Sequence, residues 1–265
     1  MLWTTVFPYP AELELTLAVS PEKPAVTHLL LDIEGTTSSV DFVYKTLFPF
    51  AAERVERFLR AHAEESEVET IVADLRREHA ADAAKHPALG PWLHGTREEE
   101  ITSAAKYVRH LIGIDRNLTP LKTLQGMIWE AGFRNGELKG HVYEDVPRVL
   151  ARWKGEGKRI AIFSSGSVLA QKLLFGNSVA GDLTKYIDAY FDTTTGPKRE
   201  VASYKAIGDA LGAANGSMLF VSDVTQELDA ARDAGMHTIL MVRPGSSQPS
   251  DSGHARIESF DQLFV

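Results

Sequence analysis

The chain has 265 residues, no cysteine and a formal net charge of −8, from 28 Lys and Arg against 36 Asp and Glu. An acidic surface repels a phosphate backbone, so nucleic acid is not an expected partner, and the missing thiols exclude disulfides, Cys-held zinc or iron–sulfur sites and a thiol nucleophile. With 44% apolar residues, a chain of this length can bury a large core without covalent staples, and its size points to a core with a smaller companion lobe.

Residues 1–26 contain four prolines and no sustained hydrophobic period, and read as an irregular N-terminal arm. The first 22 residues carry no Lys or Arg but three Glu, which is unlike a secretory signal, and no apolar run approaches a membrane span. The expectation is a cytoplasmic protein with no membrane association. Apolar runs follow at 27–31, 159–163, 189–191, 218–221 and 237–242, with helical patterns at 145–154, 167–175, 201–212 and 225–234. This alternation predicts βαβ units and an α/β fold with a doubly wound parallel sheet. Between the first two runs, helical periodicity appears at 46–62, 66–84, 97–112 and 120–132, far more chain than one crossover requires. The predicted division is a core at 27–45 and 140–265 with a helical cap inserted at 46–139.

Ligands of such sheets bind beyond the carboxyl ends of the strands. Asp32 follows the first run and leads DIEGTT, Ser164 and Ser165 follow the second in FSSGS, and Ser222 and Asp223 follow the 218–221 run in SDVTQEL. A carboxylate fixed at a strand end can attack phosphorus when a second acid shuttles protons and a cation offsets the charge. Asp32 suits the attack and Glu34 the shuttle, with Gly35 permitting the tight reversal between them and the threonines. Asp223 opposite Asp32 makes a hard-oxygen site suited to Mg²⁺. Ser164, Ser165 and the backbone freed by Gly166 precede a helix and suit an anion, although serines there also serve as simple caps. Lys198, in the turn after 189–191, can pair with a phosphoryl group or with Asp32, or lie in solvent. Glu227 and Asp229 read most simply as acidic residues favoured in a first helical turn.

Other signals carry less. GEGK at 155–158 lacks Walker spacing, Phe163 rules out a GxSxG elbow, and no histidine spacing suits zinc. Trp92 and Trp129 read as packing anchors of the inserted helices.

Taken in order, DIEGTT, FSSGS, the Lys198 turn and SDVTQEL resemble the four motifs of the haloacid dehalogenase superfamily. Glu34 where most such phosphatases carry Asp, together with LKTLQGMIWEAGF, SGSVLAQKLLFG, FDTTTG and VRPG, resembles the enolase-phosphatase (acireductone synthase) branch. The resemblance implies a Mg²⁺-dependent monomer of methionine salvage whose substrate is the phosphate ester 2,3-diketo-5-methylthiopentyl-1-phosphate. It further implies Asp32 as nucleophile and metal ligand, Glu34 as metal ligand through its carbonyl and proton carrier through its side chain, and Asp223 as metal ligand. Ser164, Ser165, Gly166 and Lys198 would hold the phosphate. Pro197 stands where relatives often have His, which leaves any added proton-transfer role there without its residue. A small-molecule phosphatase of broader specificity is the alternative enzyme; a catalytically silent binding scaffold is at odds with the intact acids and lysine.

Overall fold

A computed structural model describes residues 25–246 and 252–264. Apart from residues 25 and 26, the expected N-terminal arm lies outside the described residues. Among the described residues six strands form one sheet: β1 (His28–Leu31), β2 (Arg159–Phe163), β3 (Ala189–Phe191), β4 (Met218–Ser222), β5 (His237–Met241) and β6 (Ala255–Ile257). All pairings are parallel and the order is β3-β2-β1-β4-β5-β6. Leu29, Leu30 and Leu31 are wholly buried because β1 lies mid-sheet with helices on both faces, which explains its unbroken apolar run.

Between β1 and β2 the chain forms α1 (Val40–Phe42), a π-helical turn at Val43–Leu47, α2 (Phe48–Ala61), α3 (Ser66–Ala83), α4 (Arg97–Gly113) and α5 (Thr119–Arg134), followed by α6 (Asp145–Gly155). The period expected from residue 46 begins earlier, at Val40, where the Ser39 hydroxyl accepts from the Asp41 N–H and caps the start. The wide turn ends two residues before Pro49, which lacks a donor and crowds the carbonyl four residues back, that of Lys45 within the turn. The remaining helices are α7 (Val168–Gly176), α8 (Val201–Leu211) and α9 (Thr225–Asp233). One hydrophobic cluster joins Leu29, Leu31 and Ile162 to α6, α7 and the helices of 48–134, while Leu30, Phe163 and Phe220 pack with α8 and α9 on the other face.

The register matters most for function. Leu31 pairs with Ile162 on one side and Val221 on the other, so the residues after β1, β2 and β4 emerge level at one edge of the sheet. Chain direction across the sheet reverses beside β1, the place where doubly wound folds open a crevice.

Candidate active site

Asp32 is 2% exposed at the end of β1. Its Oδ1 accepts from Lys198 Nζ at 2.6 Å and from the Ile33 N–H at 2.8 Å, and Ser222 Oγ lies 3.0 Å from Oδ2. The loop that follows is wound tightly: the N–H groups of Thr36, Thr37 and Ser38 all point at the Ile33 carbonyl, and Thr37 Oγ1 donates to the Asp32 carbonyl at 2.9 Å. Gly35 takes φ +68° in that turn, where a Cβ would sit 2.1 Å from Asp223 Oδ2, so only glycine lets the loop and Asp223 approach this closely. From behind, buried Arg243 of VRPG donates from Nε (3.0 Å) and Nη2 (2.7 Å) to the Thr36 carbonyl, and from Nη1 to Asp145 Oδ2 at 2.8 Å.

Ser164 Oγ donates toward the Glu34 carboxylate, 3.2 Å from Oε2, and accepts from the Gly166 N–H at 3.1 Å. The Gly166 N–H therefore turns back onto Ser164, contrary to the expectation of a freed donor. Ser167, not Ser164 or Ser165, caps α7, and Asp192 Oδ2 accepts from the Val168 N–H, so part of that helix end is already satisfied. Gln171 Nε2 ties the turn down by donating to the carbonyls of Gly166 and Phe191, both at 2.8 Å.

Lys198 is buried, not solvated, and bridges Asp32 and Glu227, its Nζ 2.7 Å from Glu227 Oε2. Burial works against its charge, but the two carboxylates outweigh it and hold the ammonium above its ordinary range. Tyr204 and Ser203 fix the turn by donating to the carbonyls of Lys198 and Pro197. Glu227 is thus more than a residue favoured by the helix dipole, and its Oε2 also lies 3.1 Å from Ser222 Oγ. The available signal was position: Glu227 lies one turn past Asp223, next to wholly buried Leu228. Asp229 instead faces Arg232 and His254.

Four carboxyl groups, Asp32, Glu34, Asp223 and Glu227, share this floor with one ammonium. Burial and then the charge of Asp32 push Asp223 up to about 7, and the same causes raise Glu34 and Glu227. The pocket holds more negative charge than Lys198 offsets, which is the electrostatic setting of a cation site.

These residues, with Ser165 and Gly166, line one cavity of about 520 Å³. Val43, Leu47, Phe48 and Trp129 give it an apolar wall, while Asp115, Asn117 and Lys122 add polar groups. Trp129 serves twice, since it packs with Nε1 donating to the Leu47 carbonyl at 2.9 Å and also borders the cavity. Trp92 is buried against His79 and is not part of the lining. Sequence reading also missed Lys122, Asp115 and Tyr44; Tyr44 OH donates to Asp115 Oδ2 at 3.0 Å across 71 residues.

Residues 26–235 match the haloacid dehalogenase-like hydrolase family. Enolase-phosphatase E1 of Synechococcus elongatus is 49% identical over 92% of this chain and 100% of its own length. The Drosophila melanogaster protein of the same name is 47% identical over 89% of this chain and 91% of its own. Among solved structures, the UTR4 protein of Saccharomyces cerevisiae superposes with a TM-score of 0.71 at 34% identity, covering 90% of this chain and 100% of that one. CbbY of Rhodobacter sphaeroides in complex with phosphate, at 16% identity and a TM-score of 0.55, shares the fold. A parallel sheet whose level strand ends gather Asp32, Ser164 and Asp223, and a sequence this close to such relatives along nearly its whole length, place the chain in the enolase-phosphatase E1 family of the haloacid dehalogenase-like hydrolases.

Proposed function

We propose that the enzyme acts on 2,3-diketo-5-methylthiopentyl-1-phosphate, first enolising it and then removing phosphate to release the acireductone, as a cytoplasmic monomer of methionine salvage. Among the described residues no helix is long and apolar enough to cross a membrane. The observation that carries the reading is Asp32, held by Lys198 and Ser222 on a cavity floor with a second carboxyl, Glu34, bonded to the neighbouring strand end.

In this reading Asp32 attacks phosphorus and forms an aspartyl phosphate. Glu34 takes the proton from C1 in the enolisation and returns it to the leaving enol oxygen, then accepts a proton from the water that cleaves the acyl phosphate. Lys198, Ser164 and Ser165 hold the phosphate oxygens, and the Gly166 N–H, bonded to Ser164 Oγ, fixes the turn that presents the serines. Residues 46–139 act as a cap over the 27–45 and 140–265 core, with Val43, Leu47, Phe48 and Trp129 excluding water from the cavity.

The donor set fits Mg²⁺. Among the described residues no three His, Asp or Glu side chains converge on one point, and Mg²⁺ needs only one or two carboxylates beside water and phosphate oxygens. Asp32, Asp223 and the Glu34 carbonyl would hold it. Asp223, raised by burial and by Asp32, receives no side-chain hydrogen bond among the described residues, and a cation beside it would favour its charged form. When bound, the ion supplies charge neutralisation and Lewis acidity at phosphate oxygens.

The test is product analysis on the diketo phosphate with Mg²⁺, following enol absorbance and inorganic phosphate separately. Enol preceding phosphate is the expected order. Phosphate release with no enol, and equal turnover of sugar phosphates, would instead make this a phosphatase of broad specificity.

A further inference from the structure

Lys122 stands in the first turns of α5 and reaches the same cavity as the carboxylate floor. Its Nζ donates to the Ser165 carbonyl at 3.0 Å, directly beside the turn expected to hold phosphate. An ammonium has three donors, and this contact uses one. Among the described residues no carboxylate lies within ion-pair distance of it, and its charge acts on the Asp192 carboxyl only as one of several influences that lower that group. The other cavity lysine differs in this respect, since Lys198 is committed to Asp32 and Glu227. Arg116, also in the lining, points its guanidinium toward Asp82, 3.8 Å away.

Enolisation places new negative charge on the substrate itself. When the C1 proton goes to Glu34, the C1–H electron pair becomes the C1=C2 bond and the carbonyl pair moves onto the C2 oxygen. That oxygen gathers negative charge in a cavity already crowded with carboxylates, where a positioned donor is worth far more than in water. Lys122 has both the charge and the unused donors, and its tether to Ser165 sets it close to the phosphate end of the substrate, one carbon from C2.

Resting on the enolase-phosphatase reading above, we propose that Lys122 is a catalytic residue of the enolisation half-reaction, donating to the C2 oxygen and delivering the proton that makes it an enol. The ammonium regains its proton from solvent. Glu34 keeps the C1 proton until the phosphoryl group moves to Asp32 and the C1 oxygen leaves.

A structural alternative exists, in which the Lys122–Ser165 contact only latches α5 to the core. The two differ in which half-reaction suffers. Lys122→Met and Lys122→Arg would be compared with the unmodified enzyme for enol formation from the diketo phosphate, and for hydrolysis of an aryl phosphate that cannot enolise. The expectation for Lys122→Met is a loss of roughly 10²–10³-fold in enolisation, the scale of removing one oxyanion donor, with aryl phosphate hydrolysis falling at least about tenfold less. Lys122→Arg, which keeps the charge, should recover part of the enolisation. Equal losses in both reactions would establish the latch and overturn the proposal, as would undiminished enolisation in Lys122→Met. Absence of enol from the unmodified enzyme would overturn the functional reading itself, and this inference with it. Circular dichroism and thermal melts of both variants keep misfolding separate from these outcomes.

Discussion

Gly35→Ala tests how tightly the loop after β1 and the end of β4 depend on each other. The backbone at φ +68° imposes a cost of roughly 1–2 kcal/mol on any L side chain. A second effect is steric: the new Cβ would fall 2.1 Å from Asp223 Oδ2 and 2.5 Å from its Cγ, so the carboxylate must retreat by about 1 Å or more. A shift of that size in a positioned group costs on the order of 10²-fold in rate. Gly136→Ala separates the two contributions, because Gly136 has φ +74° and nothing within 4 Å of its added Cβ. Both variants should therefore melt lower by about 2 to 8 °C. Only Gly35→Ala should lose phosphate release by about 10²-fold and need more Mg²⁺ for half-maximal activity. Thermal denaturation, phosphate assays and Mg²⁺ titrations of the pair are the measurements. Equal activity in the two variants would refute the reasoning that Gly35 is required for Asp223 to approach the loop after β1.

Asp32→Asn keeps the shape of the side chain but removes the charge proposed to attack phosphorus, and phosphate release should fall by roughly 10⁴-fold or more, the scale of losing a nucleophile. Normal turnover by the folded variant would contradict a covalent route. Asp223→Ala should shift the Mg²⁺ dependence of activity to higher concentration, because one of the few protein oxygens proposed to hold the ion is lost; an unchanged titration after chelator treatment would remove Asp223 from the proposed metal site. Burial pushes the Asp145 carboxyl up, but bonding and charge from Arg243, with donors from Phe260 and Ser259, hold it below its ordinary 3.8. Its stabilisation is therefore present above about pH 4 and lost as the pH falls below that value and the acid protonates. Denaturant melts from pH 3 to 7 should show a flatter acid limb for Asp145→Asn, at a cost of about 3–5 kcal/mol near neutrality for breaking a buried pair.

Strands β1, β2, β4 and β5 were legible because each is a short, mainly apolar run bounded by turn residues, and for β1 and β4 burial on both faces leaves no polar alternation to confuse the pattern. Strand β6 was not, since its first two residues are exposed and only Ile257 is buried. It forms at the sheet edge because β5 offers it a ladder, a property of β5's position and not of the sequence ARI. The strand-end residues Asp32, Ser164 and Asp223 could be placed together from the sequence alone, because parallel strands of one sheet end on one edge.

Partnerships between distant residues were of another kind. Glu227 fits the dipole of its own helix equally well whether it faces solvent or Lys198. Lys122 looks like any polar residue near a helix start until α5 is set against the Ser165 turn, 43 residues away. Arg243 reaches across 207 residues to the Thr36 carbonyl and across 98 to Asp145. The amino-acid sequence by itself determined strands β1, β2, β4 and β5, the glycine turns and the order of chemical groups along the sheet edge, because these follow from near neighbours and hydrophobic period. Which carboxyl meets the lysine, which lysine keeps free donors and which acids are driven toward protonation were decided only by the tertiary structure, since charge and hydrogen bonding depend on groups that the chain brings together from far apart.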